Sequence, residues 1–472
     1  MSKHEGPQPA QEETQVTPLS PASQDGKREL IERLARDSPA RLVLIVFAII
    51  IAGATLLLCL PFASRQPGAA SFIDALFTAT SAVCVTGLTV VDTAEYWTTF
   101  GHVTIMISMM IGGLGVMTLA SLLGRAVSKR IGLTQRMLIA SERKSRLGDV
   151  GSLVTTVLVA SLTIEALLTA VLLPSYLSWG EPLIEAMWHS LFMAVSIFNN
   201  GGLVIVEGGL APLAANWGFC LPIIVGTILG AIGFPVIVDI SEHWRSPKKW
   251  SLHTKLTLTT YGLLWLGTLA AFLAFEWGNP QTLAGLPTDE RTLLALVHST
   301  TPRSSGISTM DVAELSPSTL FIFDALMFVG GGSASTAGGI KVGTFAVLLL
   351  AIVAEARGDR DMGAFGWRIP ASTLRLAVAA AVLGASLVGA GCLALLHFTD
   401  APLEHILFEV ISAFATCGLS VGLSPLLPAS GKLILIGLMF TGRTGTMTLA
   451  AALAIREQQR LIRLPEERPL IG

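Results

Sequence analysis

Residues 72–88 read FIDALFTATSAVCVTGL. An apolar segment over 72–84 leads into a small, glycine-containing end, Val85-Thr86-Gly87-Leu88. Ser71 before it and Asp74 in its first turn are helix-start signals. At 1.5 Å per residue, a helix of this length reaches only about 20 Å. It cannot cross a hydrocarbon core of about 30 Å. The apolar runs on either side, near 42–62 and 102–123, are long enough to do so. The local order is therefore span, half-helix, glycine strand, span.

The same order recurs three times. Long apolar runs lie near 153–174, 217–240, 256–276, 319–351, 374–398 and 431–455. Between successive pairs lie short apolar segments at 183–197, 290–301 and 402–415. Glu181-Pro182, Asp289-Glu290, and Asp400 with Pro402 and Glu404 mark their starts. They end in Asn200-Gly201-Gly202-Leu203, Ser304-Ser305-Gly306-Ile307 and Thr416-Cys417-Gly418-Leu419. The glycines Gly87, Gly202, Gly306 and Gly418 follow one another at intervals of 115, 104 and 112 residues. Six residues before each stands a hydroxyl (Ser81, Ser196, Thr300, Ser412). Ten before stands a large apolar residue (Phe77, Phe192, Leu296, Phe408). Matched landmarks at a fixed period identify an internal repeat.

Composition agrees with a membrane protein. Of 472 residues, 52% are hydrophobic and only 14% charged, against about 25% charged in a soluble domain. The net charge of −2 is unevenly distributed. Arg125, Lys129, Arg130, Arg136, Arg143, Lys144 and Arg146 crowd one connection. Arg245, Lys248, Lys249, Lys255, Arg357, Arg360, Arg368, Arg375, Arg456, Arg460, Arg463 and Arg468 lie on the same side. The opposite side has Arg65, Arg291, Arg303 and Lys432. The positive-inside rule then places both termini in the cytoplasm. No apolar leader precedes Arg41, so no cleavable signal peptide is expected. The five cysteines show no metal or disulfide spacing and read as packing residues.

The predicted fold is an all-α polytopic membrane protein. It has eight transmembrane helices plus four re-entrant pore half-helices, in four pseudo-symmetric helix–pore-loop–helix repeats. A polar cytoplasmic tail covers 1–40, and repeat 1 covers 41–124. A basic cytoplasmic loop covers 125–152, and repeat 2 covers 153–241. Repeat 3 covers 255–356, repeat 4 covers 372–456, and a cytoplasmic tail covers 457–472.

Non-helical backbone at membrane depth must line a watery cavity or be buried in protein. Four glycine strands about one axis satisfy that rule. Their peptide oxygens can replace the hydration shell of a cation, because glycine opens backbone angles closed to other residues. Half-helices directing their C-terminal ends inward add partial negative charge. The strands need no acid for this, and no Asp or Glu lies within three residues of any of the four glycines.

TSAVCVTGL (80–88), FNNGGL (198–203), TPRSSGI (301–307) and ATCGLS (415–420) together resemble the filter loops of the Trk/Ktr/HKT superfamily of potassium transporters. The resemblance runs from about residue 42 to the C-terminus. The ending LPEERPLIG, and the lack of an extra helical pair before residue 42, resemble the Ktr-type membrane subunit. It implies a K+ filter at Val85, Thr86, Gly87, Asn200, Gly201, Gly202, Ser304, Ser305, Gly306, Thr416, Cys417 and Gly418. A serine at the position of Gly87 accompanies sodium preference in some plant members. Four glycines therefore imply potassium, with Na+ as a possible coupling or activating ion.

The segment GGGSASTAGGIKVGTF, 330–345, interrupts the sixth apolar run and resembles the family's intramembrane gating loop. Gly331, Gly332, Ser333, Ser335, Thr336, Gly338, Gly339 and Lys341 are its candidate gating residues. A small-residue packing interface is the other reading. Lys341 is either a barrier in the cavity or a side chain snorkelling to cytoplasmic water. Arg443, inside the last span, is a functional candidate because it is charged there. It either faces the pore and the loop or pairs with a carboxylate for assembly.

Asn199 and Asn200 are expected to brace their loop. Glu165, Glu276 and Asp239 are expected at membrane interfaces. Asp92, Glu207 and Asp311 either concentrate cations at the outer mouth or cap the following helices. The resemblance also implies a homodimer in the cell membrane, with a ring of cytosolic nucleotide-binding regulatory subunits docked on the basic loops. No enzyme activity, nucleic-acid partner or organic cofactor is expected. Two rival functions fit the sequence less well. A secondary carrier has two large repeats rather than four units. An intramembrane enzyme needs a zinc or nucleophile site, and no such spacing appears.

Overall fold

A computed structural model describes residues 39–66, 68–128 and 150–455. Both predicted tails and most of the 125–152 loop lie outside the described residues. The chain is built almost wholly of helices. The first quarter holds α1 (Pro39–Leu58), α2 (Phe72–Val83) and α3 (Thr99–Ser128). The second holds α4 (Val150–Trp179), α5 (Leu183–Asn199), α6 (Trp217–Ile232) and α7 (Phe234–His243). The third holds α8 (Leu252–Glu276), α9 (Thr288–Thr300), α10 (Pro317–Phe328) and α11 (Val342–Arg357). The last holds α12 (Ala371–Phe398), α13 (Leu403–Ala415) and α14 (Ala429–Ile455).

Among the described residues, Val154–Trp179, Leu252–Glu276 and Ala371–Phe398 are long and apolar enough to cross a membrane. A bent pair, Trp217–Ile232 with Phe234–His243, adds a fourth if it counts as one span. The short helices α2, α5, α9 and α13 follow the four predicted half-helices closely. Ser71, expected to cap α2, makes no side-chain cap bond.

Packing follows a cyclic order. Helix α3 lies on α5, α6 on α9, and α10 on α13. Helix α14 then packs on α1 and α2, so the last quarter meets the first. The buried C-terminal halves of the short helices face this centre. Phe77, Phe192 and Phe408, large landmarks of the repeat, have no exposed surface. Their burial fixes the rotation of each short helix, and so the direction in which its end points.

Three local features depart from expectation. The predicted span 217–240 bends by 98° at Gly233. Gly233 takes φ +94°, open to glycine, and Pro235 sits in the first turn of α7. The helical bond lost by Phe234 N–H is replaced by one to Ala334 O, 3.1 Å away. The sixth apolar run breaks, as its glycines predict, but helix resumes at Val342, so the extended stretch is 329–341 rather than 330–345. Finally, the fold is not wholly α. A hairpin, β1 (Met362–Ala364) with β2 (Trp367–Ile369), joins α11 to α12. Phe365 and Gly366 turn it, at φ +51° and +80°.

Candidate functional site

The four glycine strands leave their helices in one conformation. Val85, Asn200, Ser304 and Thr416 have φ of +54°, +58°, +98° and +47°. A non-glycine residue there is uncommon, and a β-branched one is an outlier. Such strain persists only where its surroundings enforce it, commonly at functional sites. Two residues on, Gly87, Gly202, Gly306 and Gly418 also take positive φ, +95°, +68°, +65° and +95°.

These glycines form a closed ring. A methyl group on Gly87 would lie 2.8 Å from Gly201 O, and one on Gly202 would lie 2.9 Å from Ser305 O. On Gly306 it would lie 2.5 Å from Cys417 O, and on Gly418 2.1 Å from Thr86 O. Each glycine thus abuts the peptide oxygen that precedes the next glycine. The circuit 87–202–306–418–87 has no room for side chains. All twelve predicted filter residues are therefore brought to one place.

Hydroxyls behind the ring hold it. Gly87 N–H donates to Ser81 Oγ and Gly418 N–H to Ser412 Oγ, both at 3.0 Å. Ser196 Oγ donates to Leu203 O at 2.8 Å. The third repeat differs. A 3-10 turn, Thr301–Arg303, precedes its strand. Thr300 Oγ1 instead receives Trp265 Nε1–H at 2.9 Å, and Thr227 Oγ1 donates to Ser305 Oγ at 3.1 Å.

On one side of the ring opens a cavity of about 320 Å³, lined by all four glycines with Asp92, Asp311, Ser308 and Ser420. Asp92 Oδ1 caps the one-turn helix Thr93–Tyr96, receiving Ala94 and Glu95 N–H. Asp311 Oδ1 receives Ala313 N–H at 2.9 Å. Both acids therefore cap and line at once, and the two readings of them do not compete. Glu207 does not line the cavity. It pairs with Arg65 at 3.2 Å on exposed surface.

On the other side lies the stretch 329–341. It is docked in the α6–α7 corner: Gly332 N–H donates to Ala231 O at 2.7 Å and Thr336 N–H to Gly230 O at 3.2 Å. Gly338 N–H donates to Ser304 Oγ, whose hydroxyl donates to Thr416 O, each at 3.0 Å. Asn200 Nδ2 donates to Thr336 Oγ1 at 2.6 Å. Gly338 and Gly332 would place a methyl 2.4 Å from Ala415 O and 2.3 Å from Ile232 O respectively. Val342 N–H donates to Gly331 O at 2.9 Å. Ser335 Oγ donates to Gly332 O at 2.6 Å. Ser333 O and Gly339 lie against Gly233 and the end of α10.

Arg443 is buried and donates to Thr336 O, and to Gly112 O at 3.3 Å. It holds peptide oxygens of the loop and of α3, and among the described residues no carboxylate forms an ion pair with it. Lys341 Nζ donates back to Ala337 O of its own loop, at 2.5 Å. Arg443 and the loop residues are thus brought together against the strands that carry the ring glycines.

The structure supplies packing partners for several charged residues. Glu165 is buried and accepts from Asn199 Nδ2 at 2.8 Å, behind the second strand. Glu276 is fully buried and ties Ser316, Thr319, Thr282 and Asn279 together. Asp239, also buried, receives Ser251 N–H and Thr254 Oγ1–H. Arg303 does not stand on an outer surface but is fully buried against Tyr261. Glu409, unremarked in the sequence, is fully buried and receives Ser424 N–H at 3.0 Å and Ser420 Oγ–H at 2.8 Å, anchoring the chain after Gly418. A charge inside an amphipathic half-helix, as in 402–415, is the signal that points to it. Among the described residues, no group of three His, Cys, Asp or Glu is placed to hold a metal.

Residues 36–464 match the TrkH family model, described as a cation transport protein. The Ktr system potassium uptake protein B of Bacillus subtilis is 37% identical over 452 residues, covering 94% of this chain and 99% of its own. The potassium/sodium uptake protein NtpJ of Enterococcus hirae is 35% identical over 457 residues, again covering 94% and 99%. The crystal structure of the potassium transporter TrkH from Vibrio parahaemolyticus superposes with a TM-score of 0.67 over 90% of this chain and 85% of its own, at 15% identity.

Proposed function

The chain belongs to the TrkH family of cation transport proteins, and from that premise we propose that it is the potassium-translocating, pore-forming subunit of a K+ uptake system. The observation that carries the reading is the closed ring of Gly87, Gly202, Gly306 and Gly418 with the peptide oxygens of Thr86, Gly201, Ser305 and Cys417. In this reading those oxygens surround one axis and take the place of water around a monovalent cation. The short helices α2, α5, α9 and α13 point their negative ends at it. The cavity with Asp92 and Asp311 is the outer vestibule.

The cyclic packing supports four repeats, each a span, a re-entrant half-helix and a second span, and so eight crossings in all. Both termini are then cytoplasmic. The stretch 329–341 is the gate. It is anchored to the ring through Ser304 and Asn200, and to α14 through Arg443. The Bacillus relative is named as one protein of a Ktr system. We take this chain likewise to act with a separate cytosolic regulatory subunit, and as a homodimer. Sodium, named for the Enterococcus protein, is here a coupling or activating ion.

Growth of a potassium-uptake-deficient bacterium at low potassium tests the reading. The intact chain, expressed with its regulatory partner, is expected to restore growth. Gly87→Ser is expected to weaken rescue and lower K+ preference over Na+, since its side chain meets Gly201 O. Absence of both rescue and cation flux in vesicles would refute potassium transport.

A further inference from the structure

Three residues before each ring glycine stand Cys84, Asn199, Arg303 and Ala415. Only one of these four carries a charge. Arg303 has no exposed surface. Its Nη1–H donates to Tyr261 O at 2.7 Å, and its guanidinium lies 4.2 Å from the Tyr261 ring centre. Nε and Nη2 are buried with no hydrogen-bond partner among the described residues. Among the described residues, no carboxylate forms an ion pair with it. The residues on either side of the arginine are tied to the neighbouring strand of the ring. Cys417 Sγ lies 3.4 Å from Pro302 O, and Ser304 Oγ bonds Thr416 O.

Arginine keeps its proton in proteins. An unpaired positive charge away from water is weakly screened and acts over several ångströms. Its repulsion scales with the charge of the ion in the ring. A divalent cation meets twice the energy that a monovalent one does, so the penalty in binding is squared. The vestibule acids Asp92 and Asp311 act the opposite way, since they attract divalent ions more strongly.

We propose that Arg303 is a specificity-determining residue, a fixed cation in the filter wall that turns divalent ions away while admitting monovalent ones. The proposal rests on the potassium reading above. K+ flux into proteoliposomes, with Ba2+ as the inhibitor, separates the two. Wild-type protein without flux overturns the potassium reading and this inference with it. In a conducting protein, Arg303→Gln is expected to lower the KM for K+ by about threefold and the Ba2+ inhibition constant by about tenfold, the square of that factor. Arg303→Lys, which keeps the charge, is expected to restore both. Equal factors for the two ions, or unchanged Ba2+ inhibition in an inserted Arg303→Gln protein, overturn the proposal. If that variant fails to insert, Tyr261→Glu sets a carboxylate beside the intact arginine. It must show the same bias towards Ba2+; a Tyr261→Glu protein with wild-type inhibition is equally fatal.

Discussion

Val85 and Thr416 sit at φ +54° and +47°, conformations that disfavour β-branched side chains by roughly 1–3 kcal/mol each. Their tolerance means that the strands are held from outside, by Ser81, Ser412 and the neighbouring strand. Substituting the ring glycines should therefore hurt in proportion to crowding. Gly418→Ala, with its methyl 2.1 Å from Thr86 O, is expected to abolish flux. Gly202→Ala, at 2.9 Å from Ser305 O, should retain measurable flux at lower K+ affinity. Tracer uptake into vesicles ranks the two. The reverse ranking would argue against the ring. The positions of the glycines were legible, because each follows its hydroxyl by six residues. The strained residues before them were not, since Val and Thr carry no local preference for that turn. Arg303, Glu165 and Glu409 were equally hidden. A charge near the end of an apolar run reads as interfacial until its partners are known.

Between elements, the corner at Gly233 and the stretch 329–341 form one unit, joined by three backbone bonds through Gly332, Thr336 and Phe234. Gly233→Ala forces an L side chain to φ +94° and brings a methyl 2.5 Å from Ser333 O. The unfavourable backbone angles alone cost about 1–3 kcal/mol. The expected outcome is a loosened loop and higher K+ flux without the regulatory subunit. Removing residues 333–335 should raise flux further, and unchanged or lower flux in a folded variant counts against a gate. Thr336→Val deletes the hydroxyl bonded by Asn200, at about 1 kcal/mol, and should act in the same direction but more weakly. The break in the sixth run was visible because its glycines and hydroxyl residues exhaust any helical stripe. The corner in the fourth was not. One Gly before a Pro in an apolar run is ordinary, and the partner that stabilises its turn, Ala334, lies a hundred residues downstream.

At the scale of the whole molecule, the first and last quarters meet at several points: Gly418 abuts Thr86, and Arg443 reaches Gly112 across 331 residues of sequence. The periodicity marks four short apolar segments, and the structure has a short helix at each of them. Their mutual packing lies in no single repeat, because α14 finds α1 and α2 only in three dimensions. Lys432 adds an ion pair to Asp74 at 2.9 Å across the same seam. The pair is largely shielded, and Lys432→Met is expected to destabilise the protein by about 1 kcal/mol or more, read as a lowered melting temperature in detergent. This seam has a bearing on how the protein is made. While a ribosome is still feeding the first three units into the bilayer, Thr86 faces no glycine and the circle stands open on one flank. On the proposed potassium reading, selective permeation then begins only when the final helix hairpin arrives, and an aborted nascent chain carries no working aperture.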